Sequence, residues 1–477
     1  GYLMDRIKIG FFSIVIIPLA LAVFCPQSVA GSEETSSPLP PLTDAEVREQ
    51  MRLTIGRTAL PEGIEPEKLD YLLKKGQMVI IDEMIDEVPW LLSVGIPVDA
   101  PVDDVWKVIS DFENYNKWVP SCKSTVVTHH GENIVEIGFT LGFKFIFIPL
   151  YVKYTNRHYH QSPLRSDWTG LGGDIEKNCG WFQNIPVSEN NSLFFYSNWT
   201  LPGSGLLKKM YEKYPFLDVG IGMSAATVYT RKLKDRVESI KGPGKLEGEQ
   251  EVKSPVQPLS REEEQGIMQL LSARGAVLQF EEMEEEGKMG MSSWITIDAP
   301  RNKVWEEIIN YSSYEYFMPM MKKIKILEMK EDRVLVEFKF EADIVVFSAR
   351  PKYVSEYHFI KPEKITWSTI KGDKYVVNGS WEFFPIEEGK KTLACYRNVY
   401  DVKSLGFLIK TIMKVLPEGQ LAVNSYVTQK TVRDMRDWIE TPPDMKERIK
   451  TIKSENKRER AWDVWTGELR KERLKRR

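Results

Sequence analysis

The apolar and polar positions of this chain change period along its length, and each change marks an element. In "RVLVEFKFEAD", Val334, Val336, Phe338 and Phe340 fall on one side while Glu337, Lys339 and Glu341 fall on the other. That two-residue period predicts a half-buried antiparallel strand. "KYVSEYHF", "KITWSTIKG", "GSWEFFPI" and "TLACYRNVY" follow, separated by Pro-Glu, Gly-Asp and Glu-Gly pairs, and predict further strands. The period then lengthens. Val423, Val427, Met435 and Ile439 keep a four-residue spacing, which predicts a long closing helix. A short helix is expected after Asp298-Ala299-Pro300, because proline suits a first turn and Val304 and Ile308 share one face.

The same order occurs twice. "IPVDAPVDDVWKVISDFENYNKWVP" at 96–120 is echoed by "ITIDAPRNKVWEEIINYSSYEYFMP" at 295–319, a shift of 298 − 99 = 199 residues. That shift also pairs Gly76 with Gly275, Met84 with Met283, Phe139 with Phe338, Tyr154 with Tyr353 and Trp168 with Trp367. One inserted residue later, Trp181 aligns with Trp381 and Tyr196 with Tyr396. A register held this far implies two copies of one fold. Each copy reads as an α+β unit of strand, short helices, meandering antiparallel strands and long helix, packed as one curved sheet around its last helix.

The chain divides accordingly. Residues 66–236 form the first copy and 261–440 the second, joined by a linker at 237–260 rich in Gly, Pro and charge. A lead-in at 31–65 is expected to be mostly solvated, with one helix opened by the capping box Thr43 and Glu46. Ser260 and Glu263 repeat that box. The tail, 441–477, is basic and carries Trp462 and Trp465. A solvated, partly disordered end is expected there, and the alternative is a helix in peripheral contact with an anionic membrane surface.

Composition changes this picture little: 42% hydrophobic and 28% charged residues over 477 positions suit ordinary globular domains. A net charge of −3 with mixed signs offers no broad cationic face, so nucleic acid is not an expected partner. The first 30 residues read differently. Arg6 and Lys8 precede the apolar run "IGFFSIVIIPLALAVF", followed by small residues at Ser28 and Ala30, which predicts a signal peptide cleaved after Ala30 and a periplasmic or secreted protein. An uncleaved anchor is the alternative. Bulky Phe24 before Cys25 argues against lipidation, and "GYLM" suggests a start at Met4. Cys122, Cys179 and Cys395 remain after cleavage and are expected to be buried, unbridged hydrophobes, with a Cys122–Cys179 disulfide as the alternative.

The Asp-Ala-Pro openings, the strands carrying Trp168 and Trp181, and the closing helix together resemble the START-like helix-grip superfamily, in its polyketide cyclase and coenzyme Q-binding branch. The resemblance covers roughly residues 66–236 and 262–440, and the first copy departs from it at the apolar "LGFKFIFIPLYVKY". It implies a deep, largely apolar cavity between sheet and long helix that binds lipids, quinones or polyketides, or cyclises the last. Cavity-lining candidates are Trp118, Tyr154, Trp168, Trp181, Met210 and Met223 in the first copy, and Phe317, Tyr353, Trp367, Trp381 and Met413 in the second. The alternative is that these side chains fill a solid core.

Chemistry-bearing patterns are sparse. His158 and His160 share a strand face, yet no third ligand accompanies them and the other copy has Tyr357 in that place, so surface or edge histidines are expected and no metal or cofactor. Arg157, Arg350, Asp343, His358 and Arg397 stand out as charged residues among the strands. "GLGGD" at 170–174 lacks the Lys-Ser or Lys-Thr of a phosphate loop and reads as a hairpin turn. No nucleophile elbow or His-Glu-x-x-His motif occurs, and no catalytic residue is assigned. The expected function is binding, and transport, of a hydrophobic small molecule outside the cytoplasm. The rivals are a cyclase or aromatase polarising a carbonyl with an interior Arg or Tyr, and a scaffold with filled cavities.

Overall fold

The computed structural model describes residues 43–52, 54, 56–60, 62, 64, 69, 77–82, 91–145, 148–202, 208, 216–240, 261–273, 276–281, 288–318, 321–344, 347–373, 376–401, 417–455, 461, 464, 465 and 468. The export segment, most of the linker, Cys25, Met210, Met413 and Trp462 lie outside them. No helix among the described residues is long and apolar enough to cross a membrane.

After α1 (Asp44–Arg52), the first repeat comprises β1 (Met78–Asp82), β2 (Leu91–Val98), α2 (Val102–Ile109), α3 (Tyr115–Trp118), β3 (Cys122–His129), β4 (Ile134–Phe145), β5 (Ile148–Gln161), β6 (Arg165–Gly173), β7 (Ile175–Pro186), β8 (Ser192–Pro202) and α4 (Phe216–Ile240). After α5 (Arg261–Ala273), the second comprises β9 (Ala276–Glu281), β10 (Lys288–Ile297), α6 (Arg301–Ile309), α7 (Tyr314–Phe317), β11 (Met321–Met329) and β12 (Arg333–Phe340). It continues through β13 (Ala342–Ile344), β14 (Phe347–Ala349), β15 (Lys352–Ile360), β16 (Lys364–Gly372), β17 (Val376–Ile386), β18 (Lys391–Asp401) and α8 (Pro417–Glu440), with α9 (Pro443–Glu455) beyond. The order expected from the sequence, strand, short helices, antiparallel meander and long helix, is present twice.

The two sheets are one. Sixteen strands run in the order β11-β12-β15-β16-β17-β18-β10-β9-β1-β2-β8-β7-β6-β5-β4-β3, with β1 antiparallel to β9 at the seam. Val79 lies opposite Leu278, its own counterpart at the 199-residue shift, so a local two-fold axis passes through this pair. Val79, Phe280, Met223, Met291 and Tyr400 form an apolar cluster on one face of the seam, where α4 and α8 also lie against each other. On the other face, Ile267, Leu270 and Leu271 of α5 cover Met78, Ile80 and Trp294.

The described segments flanking the two repeats are more tightly packed than their polarity suggests. The Thr43–Glu46 capping box forms, with Thr43 N donating to Glu46 Oε2 at 2.8 Å and Glu46 N to Thr43 Oγ1 at 3.3 Å. The lead-in, however, is not solvated throughout. Gln50 Oε1 accepts the Asn178 amide at 3.0 Å, Gln183 Oε1 accepts the Ala59 amide at 3.0 Å, and Ala59 and Leu60 are buried. The basic tail likewise departs from the solvated end expected: Met445 and Ile449 of α9, with Val464 and Trp465, join the second repeat's core. Trp465 packs edge-on to Trp438, itself stacked on Tyr316 at 4.6 Å. Trp465 is fully buried.

Candidate functional site

On β8, Phe194, Tyr196, Asn198 and Thr200 share the face turned toward α4, while Leu193, Phe195 and Trp199 face outward. β5 contributes Tyr154, Asn156, His158 and His160 to the same interior, opposite Phe139, Ile137 and Val135 of β4. Phe112, Tyr115 and Trp118 close it from the short helices, and Tyr229 enters from α4. Tyr229 stacks on Phe182 at 5.6 Å and 12°. Tyr115 donates its proton to the Ile109 carbonyl at 2.6 Å, so Tyr229, 2.9 Å away, donates to the Tyr115 oxygen.

Tyr154, Tyr196 and Tyr229 retain accessible surface, yet burial pushes all three hydroxyls well above the ordinary tyrosine range. The second repeat is fuller. Trp106, Trp118, Phe139 and Tyr196 are only partly buried, whereas their counterparts Trp305, Phe317, Phe338 and Tyr396 are 2%, 1%, 1% and 6% exposed. Tyr353 remains partly buried there, facing Phe338 and Phe340.

The predicted lining residues separate. Trp118, Tyr154 and Trp168 face the first interior, and Phe317, Tyr353, Trp367 and Trp381 pack in the second repeat's inner core. Met223 lies in the seam cluster. Trp181 is a correction: it faces outward with Leu91, Cys179 and Trp199, under the Arg165 guanidinium at 5.2 Å. The cause is register. Trp168 lies opposite Gly180 and Trp367 opposite Gly379, so the 199-residue shift persists through β7 and β17, and Trp381 corresponds to Phe182. The extra residue falls in the following turn, where Glu387, Glu388 and Gly389 take positive φ. A slip of one residue exchanges the two faces of a strand. The glycine pair was the signal to use. A Cβ on Gly180 would lie 2.4 Å from the Trp168 ring and 2.1 Å from the Ser197 carbonyl, and Gly379 sits in the same relation to Trp367 and Arg397.

The histidines also depart from expectation. His158 is 2% exposed, packed among Phe112, Trp168 and Phe182. Its Nδ1 lies 3.2 Å from Ser166 Oγ. Burial, then neighbouring His160, holds its pKa well below 6.5, and burial followed by His129 brings His160 down to about 4. Both are neutral interior groups, and the described residues contain no cluster of three or more metal-ligating side chains. The charged candidates face elsewhere. Arg157 pairs with Glu136 at 2.6 Å, Arg350 with Glu341 at 3.1 Å, and His358 is largely exposed. Arg397 falls on the outward register of β18, and the side chain of Asp343 lies outside the description. Cys122 and Cys179 are free and occupy opposite faces of the sheet, and burial pushes the Cys179 thiol up to about 12. Asp174, after Gly173, turns β6 into β7 and accepts the Lys153 amide at 2.7 Å, so "GLGGD" is a hairpin end.

Two regions, residues 98–175 and 297–422, match one family model, described as polyketide cyclase/dehydrase and lipid transport. Similar solved structures include the di-domain ARO/CYC BexL of the BE-7585A biosynthetic pathway, at 14% identity over 74% of this chain and 99% of that one, with a TM-score of 0.25. Zhui aromatase/cyclase from Streptomyces sp. R1128 matches at 10% identity over 32% and 97%, with a TM-score of 0.28. The STAR-related lipid transfer protein from Xanthomonas axonopodis matches at 12% over 34% and 94%, also with a TM-score of 0.28. No curated protein matches the chain. The chain thus carries two tandem α+β repeats, and each is similar over part of its length to the same polyketide cyclase/dehydrase and lipid transport family.

Proposed function

We propose that the first repeat holds a hydrophobic small molecule, a lipid, quinone or isoprenoid, between β4–β8 and α4, and that the second repeat is its filled companion. The observation that carries this reading is that Trp118, Phe139 and Tyr196 are only partly buried, whereas their counterparts Phe317, Phe338 and Tyr396 are buried. Moving an alkyl or prenyl chain from water into such a space contributes ~0.8 kcal/mol per CH₂ before ordering costs. Aromatic walls need no reactive group to do this. The inward-facing groups named above are aromatic, amide, hydroxyl and imidazole, which supports holding a ligand over turning one over. Carriage outside the cytoplasm is part of the proposal and rests on the export-like segment before Ala30.

Native mass spectrometry of the full chain, with organic extraction, tests the reading. About one copurifying apolar molecule per chain is expected, together with uptake of the neutral dye N-phenyl-1-naphthylamine. Neither extractable molecule nor dye uptake would overturn it, and steady conversion of an added polyketone would favour the cyclase instead.

A further inference from the structure

The floor of the first interior is built of uncharged amides. Asn156 lies opposite Gly170 on β6, Asn178 opposite Thr200, and Asn198 opposite Gly180. Gly170 has no side chain to separate its neighbours, so Asn178 Nδ2 reaches across it to donate to Asn156 Oδ1 at 2.9 Å. Thr200 Oγ1 donates to Asn178 Oδ1 at 3.1 Å. The network is incomplete. Asn198 is 6% exposed and its Oδ1 has no partner, and the Nδ2 of Asn156, a residue 4% exposed, bonds to none of the described residues. Buried amides left short of partners cost stability unless something else supplies them.

The second repeat fills the same floor with different side chains, and Asn398 Oδ1, the counterpart of Asn198 Oδ1, is likewise without a partner. Thr369 replaces Gly170, with Oγ1 3.3 Å from Ser355 Oγ and donating to the Val376 carbonyl at 2.6 Å. Tyr400 replaces Thr200, accepts from Asn398 Nδ2 at 3.1 Å and lies 2.8 Å from Thr428 Oγ1.

We propose that Asn156, Asn178 and Asn198 form the polar anchor of the first-repeat site, and that its ligand is an amphiphile with an uncharged hydroxyl- or carbonyl-bearing head. This rests on the cavity reading above and adds the head-group class. Amides donate and accept but hold no charge, and a carboxylate, phosphate or ammonium set among them would be buried without a counter-ion. An alcohol or primary or secondary amide head loses no such solvation and supplies both a donor and an acceptor to the open positions.

Displacement of N-phenyl-1-naphthylamine from the full chain at pH 8 tests this, with 1-dodecanol and dodecanoate as competitors. Dodecanol should displace the dye at a concentration at least about ten-fold below dodecanoate, and Asn198→Leu should bring the two within about two-fold while dye uptake persists. Asn198→Asp, nearly the same size, should weaken both, and dodecanoate more. Equal displacement by the two competitors in the wild-type protein, or a preference unchanged in both variants, overturns the anchor and leaves the cavity standing. Absence of dye uptake by the wild-type protein overturns the cavity itself.

Discussion

The two repeats share a backbone plan and differ in what occupies its interior. At equivalent positions the first repeat has Gly170, Phe182 and Thr200 where the second has Thr369, Trp381 and Tyr400. The exchange runs both ways, since Trp118, Asn156 and Phe194 of the first repeat align with the smaller Phe317, Ser355 and Ala394, and the closing helix also carries the larger group in the first. Glu238 and Glu440 accept the Asp99 and Asp298 amides in the two repeats, which aligns Tyr229 with Thr431. Phe182 stacked on Tyr229 thus occupies one grip, and Trp381 against Tyr396 at 4.2 Å occupies the other. The lesson is that a duplicated container is closed by a few volume exchanges on its floor and wall, with its strands and hydrogen-bond ladder unchanged.

The exchange at Thr200 gives the largest expected effect. Thr200→Tyr brings the second repeat's plug into the first and should weaken dye uptake at least about hundred-fold, read by fluorescence titration. Tyr400→Thr removes the native plug, should cost ~2–4 kcal/mol in denaturant unfolding, and should leave first-repeat uptake within two-fold. Equal effects of both changes on uptake would erase the distinction between the repeats.

Trp465→Ala comes next. It empties a fully buried site in the second repeat and should cost ~3–5 kcal/mol without altering ligand affinity. Gly180→Ala and Gly379→Ala probe what the repeats have in common. Each added methyl meets a tryptophan ring and a carbonyl, so each should cost ~1–3 kcal/mol, and only the change at Gly180 should also disturb uptake.

The smallest effect is with pH. His158 is neutral when folded, with its pKa depressed below 6.5 by burial. The unfolded chain therefore binds more protons below that value, and the stability His158 contributes is present above about pH 6.5 and is lost as pH falls toward the folded pKa. His160 acts in the same direction over the window from 6.5 down to about 4. Tyr357 and Phe359 occupy these places in the second repeat and titrate in neither range. His158→Tyr should reduce by a few degrees the drop in Tm between pH 7.5 and 5. An unchanged drop would place the acid sensitivity elsewhere.

Much of the fold was legible in the residues. Periodicity located the strands around Val334–Phe340 and the closing helix around Val427–Ile439, and the 199-residue shift exposed the duplication. The site was only half legible. Alternation sorts residues into two faces without saying which is inside, so His158 and His160 were placed outward although Tyr154, on the same register, was placed inward. Aligning Trp181 with Trp381 by residue type overrode the register held by Gly180 and Gly379. The burial of Trp465 and the pairing of β1 with β9 are contacts between segments far apart in sequence, and no local pattern encodes them. The contrast between Thr200 and Tyr400 is visible in the residues, but its meaning depends on knowing that both point into the floor of a repeat.

The seam carries a consequence for either half made by itself. Joining β1 to β9 conceals two bare hydrogen-bonding edges, and the outermost strands that remain, β3 and β11, carry exposed lysines, Lys123 on one and Lys322, Lys323 and Lys325 on the other, a common guard against edge-to-edge growth. Because Val79 meets its own equivalent, a lone first repeat would uncover a self-complementary ladder. Such a fragment should emerge from a sizing column as a homodimer, rebuilding between two molecules the symmetry this chain contains in one.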